Sequence, residues 1–149
     1  MQVLTEVLGG GTTSRLYQSL VVDSKVATAA GSWYNANQLG PSVFGFYGTP
    51  SLGNNVEIIE DAIDQEIRRV LREPIADAEI SAAIKRLSRS AILARDSITA
   101  PARIIGEALL TGRNVEQIEA WPLHIAAVSA EQIMSVSYTH LTLPTILRV

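Results

Sequence analysis

The sequence predicts an α+β fold, an antiparallel β hairpin packed against several helices, on the strength of three observations. A run of small and aromatic residues between Val26 and Gly48, with turn-forming residues in its middle, reads as two strands. Apolar residues ahead of this run recur at spacings of three and four, the period of a helix. From Asn54 onward the pattern switches from period two to period 3.6 and stays there.

The first helix is predicted from Val3, Leu4, Val7 and Leu8, which share one face. Gly9, Gly10 and Gly11 then end it, and the first of them is expected at the C′ position, where positive φ carries no Cβ penalty. Thr12, Thr13 or Ser14 is placed to cap a second helix whose stripe is Leu16, Tyr17 and Leu20. Strands follow at Val26–Tyr34 and Val43–Gly48, with Asn35–Ser42 as the connecting loop by its Asn, Gly and Pro content. Small residues in the first strand invite close packing on one face.

A long helix is expected to bury Val56, Ile59, Ile63, Ile67 and Val70. Its early Glu57, Glu60 and Asp61 and late Arg68, Arg69 and Arg72 complement the helix dipole, and Pro74 stops it. The next begins near Asp77 with Ile80, Ile84, Leu87 and Ala91 on one face. Lys85, Arg86 and Arg89 form an opposite face that reads as solvated. Pro101 opens a third long helix that Gly112 closes. Asn114 with Gln117 forms a capping box for a short helix expected to end at Trp121-Pro122, and Ser129 with Gln132 repeats the device. From Val136 the helical pattern lapses, and Val136–Thr145 resembles the in-frame translation of a sequencing-library adaptor. The natural domain is therefore expected over residues 1–135, with 136–149 as a scar.

Composition narrows the function classes. With 47% hydrophobic and 18% charged residues over 149 positions, the chain suits one globular domain. A net charge of −3 and the lack of any basic cluster interleaved with aromatics argue against nucleic acid as a partner. No apolar run approaches a membrane span. There is no Cys, hence no thiol nucleophile or Cys-based zinc site, and compartment stays open between periplasm and cytoplasm.

The glycine cluster invites comparison with a phosphate cradle, but neither P-loop nor G-x-G-x-x-G spacing is present; a helix-to-helix turn permitting close backbone approach accounts for it. His124 has no second histidine at ligand spacing and reads as structural, and H-E-x-x-H, H-x-x-E-H and G-x-S-x-G are absent. The catalytic and metal-ligand sets read from this chain are therefore empty.

The segment Leu4-Thr5-Glu6-Val7-Leu8-Gly9-Gly10-Gly11-Thr12-Thr13-Ser14-Arg15-Leu16-Tyr17-Gln18, with the small and aromatic strands, Ala94-Arg95-Asp96-Ser97, Thr111-Gly112-Arg113 and Ile118-Glu119-Ala120-Trp121-Pro122, resembles the C-terminal part of insulinase/pitrilysin-family zinc metallopeptidases. The resemblance covers Val3 to about Met134. It implies one of two homologous α+β halves that close around a peptide like a clamshell. The resemblance implies the zinc-free half, incomplete at its N-terminus, with zinc expected in an H-x-x-E-H half that is fused upstream or separate. Active members place an Arg and a Tyr, seven apart, at positions that here are Val21 and Thr28, neither able to make the charge-assisted or phenolic bonds of that role. The glycine cluster is similar in position to a segment linked to substrate handling in the zinc-free subunit of the family's mitochondrial processing peptidases, which implies peptide contact at Gly9, Gly10 and Gly11. The function implied is the non-catalytic, substrate-embracing half of a metalloendopeptidase. The alternative is an assembly module like the respiratory-complex core subunits related to the same family, without proteolysis.

Overall fold

A computed structural model describes residues 1–141. Helix α1 (Gln2–Gly9) leads through the glycine turn into a short α2 (Arg15–Tyr17), which continues without a break as a π-helical segment (Gln18–Asp23). Strands β1 (Ala27–Tyr34) and β2 (Phe44–Pro50) pair antiparallel, and α3 (Val56–Arg72), α4 (Asp77–Arg95), α5 (Ala100–Leu110), α6 (Val115–Ala126) and α7 (Ala130–Leu141) complete the chain. The α+β architecture and the hairpin agree with the sequence reading.

The hairpin register sets Ala30 opposite Gly48, Gly31 opposite Tyr47, Ser32 opposite Phe46 and Trp33 opposite Gly45, with an irregularity between Ala27 and Ala29. Because strand side chains alternate, Ala30, Ser32, Tyr34, Phe44, Phe46 and Gly48 share the inner face. Phe44 and Phe46 pack against the core and meet each other edge to face, their ring centroids 4.9 Å apart. The core itself joins Val3, Leu4, Val7 and Leu8 of α1 to Leu16, Leu20, Ile59, Val70, Ile80 and Ala83, and receives Ile125 and Ile133 from the last two helices.

The glycine turn differs in detail from its expected form. Gly9 is still helical and buried, Gly10 caps α1 at φ −81°, and the positive φ of 107° falls on Gly11. The reason is tertiary. A Cβ on Gly9 would lie 1.9 Å from the Ser32 nitrogen and 2.5 Å from the Gly31 carbonyl carbon, so α1 rests directly on the backbone of β1. Ser32 Oγ donates to the Thr5 carbonyl across the same contact at 3.0 Å.

The second helix is mostly a π-helix rather than an α-helix. Ser24 closes it: its N–H and hydroxyl both donate to the Ser19 carbonyl, at 3.0 and 2.7 Å. Lys25 then turns the chain into β1 at φ 56°, a conformation rare for a residue with a long side chain.

Three further expectations are corrected. Pro122 does not end α6, which runs on to Ala126. Pro122 has no N–H to give to the preceding turn, but Trp121 Nε1 donates to Gln2 Oε1 at 2.8 Å and Ile125 is buried, so contacts on both sides of the proline hold the helix. The helical pattern expected to lapse at Val136 instead continues in α7 to Leu141, because Ser137 satisfies its hydroxyl on the Ile133 carbonyl at 2.8 Å while fully buried and Val136 packs on the core. Of the segment read as an adaptor scar, residues 142–149 lie outside the described residues. On α3, Val56 is exposed and Glu66 takes a place on the buried face, with Arg69 Nη1 3.8 Å away. Both predicted capping boxes form, and Gly112 at φ 79° ends α5 with the Arg113 N–H on the Ala108 carbonyl at 2.9 Å, but the side-chain cap expected on the second helix from Thr12, Thr13 or Ser14 is not made.

Gly9→Ala is expected to lose about 3 kcal/mol or more, since its methyl meets backbone that cannot yield, whereas Gly11→Ala costs about 1 kcal/mol from its dihedral alone. Lys25→Gly is expected to gain about 0.5–1 kcal/mol by relieving positive φ. Urea titration of the three variants checks the order; a Gly9→Ala no worse than Gly11→Ala refutes the close-approach account.

Candidate functional site

Helix α4 fixes the glycine turn from both flanks. On the α1 side, Arg86 Nε donates to Glu6 Oε1 at 2.6 Å and Nη2 to the Glu6 carbonyl at 3.3 Å. Arg86 therefore departs from the solvated role its helical face suggests. On the α2 side, Arg15 Nε and Nη2 each donate to one oxygen of Glu79 at 2.8 Å, a bidentate pair, and Glu79 Oε2 also accepts the Ala76 N–H at 3.1 Å. Hydrogen bonding from Arg15 holds the Glu79 carboxyl below its ordinary value of 4.5. Within the turn, the Ser14 hydroxyl donates to the Gly11 carbonyl at 2.7 Å, so it braces the loop and leaves the N-terminus of α2 without a side-chain cap.

The three glycines are thus placed unequally. Gly9 is buried under β1, a Cβ on Gly10 would strike the Glu6 carboxylate at 2.3 Å, and Gly11 is exposed, with nothing within 4 Å of where its Cβ would stand. Gly9 and the hairpin are brought together. Gly31 is sandwiched between Gly9 on one face and the Tyr47 ring on the other, where a Cβ would meet the Tyr47 hydroxyl at 2.6 Å.

The outer face of the hairpin carries Gly31, Trp33, Gly45, Tyr47 and Thr49, and is the face turned away from the helices. The Trp33 ring lies over Gly45, whose Cβ would sit 2.5 Å from it, as Tyr47 lies over Gly31. Each glycine so gives an aromatic ring a flat seat on the strand opposite. Trp33 and Tyr47 remain 48% and 51% exposed. Sequence reasoning marked these strands but not this face; the Gly–aromatic pairing across strands depends on register, which only the turn geometry fixes. It also missed Arg113, whose Nη2 donates to the Ala36 carbonyl at 2.7 Å and ties the hairpin loop to the α5–α6 turn.

Val21 lies in the π-helical segment, half-buried against the core. Thr28 sits at the strand irregularity and donates its hydroxyl to the Thr49 carbonyl at 3.3 Å. Both His124 and His140 are exposed, and among the described residues no three His, Cys, Asp or Glu side chains converge to hold a metal. The donors present do not fit zinc. Among the described residues no helix is long and apolar enough to cross a membrane.

Comparison with known proteins places this geometry. A family model described as the Peptidase M16 inactive domain matches residues 1–87. Comparison with curated proteins gives no match. Among solved structures, a protease from Helicobacter pylori superposes with a TM-score of 0.82 at 18% identity over 92% of this chain. A candidate zinc protease from Bordetella pertussis Tohama I gives 0.79 at 14% over 94%, and a conserved protein from Enterococcus faecalis V583 gives 0.73 at 23% over 92%. The chain spans 32%, 76% and 31% of those three chains respectively, and at these identities the likeness is one of fold.

The Arg15–Glu79 pair sets an acid limit. Glu79 has its folded pKa depressed, so its contribution is complete above about pH 4.5 and fades as the pH drops through the lower folded value. Thermal unfolding followed from pH 6 to pH 3 is expected to show a shallower acid decline in Glu79→Gln than in the native chain. Parallel declines would show that the pair contributes nothing to stability.

Proposed function

Since the chain belongs to the Peptidase M16 inactive-domain family, whose model covers more than half of it, we propose that it is the substrate-embracing, zinc-free half of an insulinase-like zinc metalloendopeptidase acting on peptides. The observation that carries this reading is the outer face of the hairpin. Its own helices cover only the inner face and leave Trp33 and Tyr47 half exposed toward whatever lies opposite. Zinc belongs to a homologous partner half bearing H-x-x-E-H, fused upstream or supplied as a separate subunit, because the donors in this chain do not fit the metal. The glycine turn contributes as a peptide contact. Gly11 offers open backbone, Gly10 lines its approach, and Gly9 seats the turn on β1 behind the aromatic face.

One observation favours a second reading. Val21 is taken up by core packing and Thr28 by a hydrogen bond within the hairpin, so the positions that would polarise a substrate in active relatives have structural employment here. An assembly module without proteolysis accounts for that.

The two readings part in a reconstitution. The purified chain alone is expected to cleave no peptide with or without zinc, and to become part of a zinc-dependent peptidase when produced with an H-x-x-E-H half from the same locus. A stable complex that never cleaves favours the assembly module, and failure to form a complex with such a half overturns the peptidase reading.

A further inference from the structure

From Val26 to Val56 the chain has no Asp, Glu, Lys, Arg or His, 31 consecutive uncharged residues in a protein that is 18% charged. That interval contains the whole hairpin, its loop and the turn into α3. Charged residues are the usual protection of a short sheet with free edges, so their absence here leaves an apolar, uncharged face open. What this face presents is specific. Trp33 stands opposite Gly45 and Tyr47 opposite Gly31, which makes the two rings diagonal neighbours on one face. Diagonal neighbours lie about 7 Å apart, close to the ~6.7 Å between alternate side chains of an extended peptide. Among the described residues, neither the Trp33 indole N–H nor the Tyr47 hydroxyl has a hydrogen-bond partner, and each donor atom lies over the glycine of the opposite strand, 2.6 Å from where a Cβ there would stand.

Resting on the peptide-holding role above, we propose that the Trp33–Tyr47 face selects an extended, uncharged peptide segment, with aliphatic or aromatic side chains at alternate positions seated on the two rings and its carbonyl oxygens accepting from Trp33 Nε1 and Tyr47 Oη. Charge complementarity sets the choice. A Glu or Asp seated on this face would surrender hydration to the negative faces of two aromatic rings with no cation to meet it. A seated Lys gains only an exposed cation–π contact and meets no carboxylate anywhere in the hairpin.

The test uses the chain as it stands and three short end-blocked peptides. One alternates Thr with Leu, and the other two carry Lys or Glu in place of two central Leu residues. Calorimetry gives affinity, and tryptophan emission compared with that of Trp33→Phe isolates the signal of Trp33 from that of Trp121. The neutral peptide is expected to bind, to shift Trp33 emission to the blue, and to bind on the order of tenfold tighter than either charged peptide. Tyr47→Phe, which keeps the ring and removes one donor, is expected to weaken the neutral peptide several-fold with the far-ultraviolet circular dichroism unchanged.

Equal affinity for all three peptides overturns the selectivity, as does binding that leaves Trp33 emission unmoved. A blue shift that rises with protein concentration in the absence of peptide assigns the face to a second copy and also overturns it. If the reconstituted peptidase cleaves the Lys- or Glu-bearing peptide as fast as the neutral one, the selectivity fails while the peptide-holding role stands. If no peptide binds and no complex with a zinc half forms, that role fails with it.

Discussion

The structure depends on one approach, that of Gly9 to the backbone of Gly31 and Ser32. No side chain separates helix from strand there, and the Ser32 hydroxyl crosses the gap to the Thr5 carbonyl. Much of the surrounding sequence follows from it. The inner face of β1 has Ala30 and Ser32 where α1 lies, while β2 places Phe44 and Phe46 beside them to fill the core beyond the helix. Gly48 repeats the device for α3, since a Cβ there would lie 2.4 Å from Ile59 Cγ2. A helix drawn so near a strand needs holding from its other side, and α4 supplies that through Arg86 on Glu6 and Glu79 on Arg15. Both pairs are partly shielded and multiply hydrogen-bonded, the circumstances in which ion pairs differ from the weak surface kind.

The same close approach shapes the opposite face of the sheet. Gly31 has no side chain to offer outward, because its place in the strand is shared between Gly9 beneath and Tyr47 above. The outer face consequently gets its bulk from the partner strand at Gly31 and from β1 itself at Gly45, giving an alternation of flat seats and rings. Glycine weakens a strand by entropy and lost packing, and an aromatic ring folded over it from across the ladder restores part of that contact. In a protein with no further role for this surface, a β-branched pair would serve stability better than a glycine under a half-exposed tryptophan.

How much could be read in advance divides by the range of the interaction. The helices, both capping boxes, the Gly112 terminus and the antiparallel hairpin were legible because each is decided by residues within a few positions of one another. Several of the departures involve partners far away in the chain. Pro122 stays inside α6 because Trp121 reaches Gln2, whereas α7 continues past Val136 with a local bond, the buried Ser137 hydroxyl on the Ile133 carbonyl. Arg86 looked solvated because Glu6 is 80 residues distant, and nothing local marked Glu66 for the buried face of α3, where it is 7% exposed. Positive φ moved from Gly9 to Gly11 for the same reason, since the helix had to carry Gly9 as far as β1. On the candidate site, the glycines were legible as a cluster but not their separate roles, and the aromatic face appeared only with the register.

That division bears on what the recognisable motif means. Its residues are each occupied by the fold, in that Gly9 admits the strand, the Ser14 hydroxyl braces the Gly11 carbonyl, Arg15 grips Glu79, and Leu16 is fully buried. Arg15 in particular has two of its nitrogens committed to one carboxylate, while Nη1 is buried without a partner among the described residues. The motif is therefore a signature of how this lobe folds. Chemistry has to be sought where residues remain exposed, which here means the turn at Gly11 and the half-exposed rings of Trp33 and Tyr47. Those are the positions at which a peptidase lobe and an assembly module with this same fold would be free to differ.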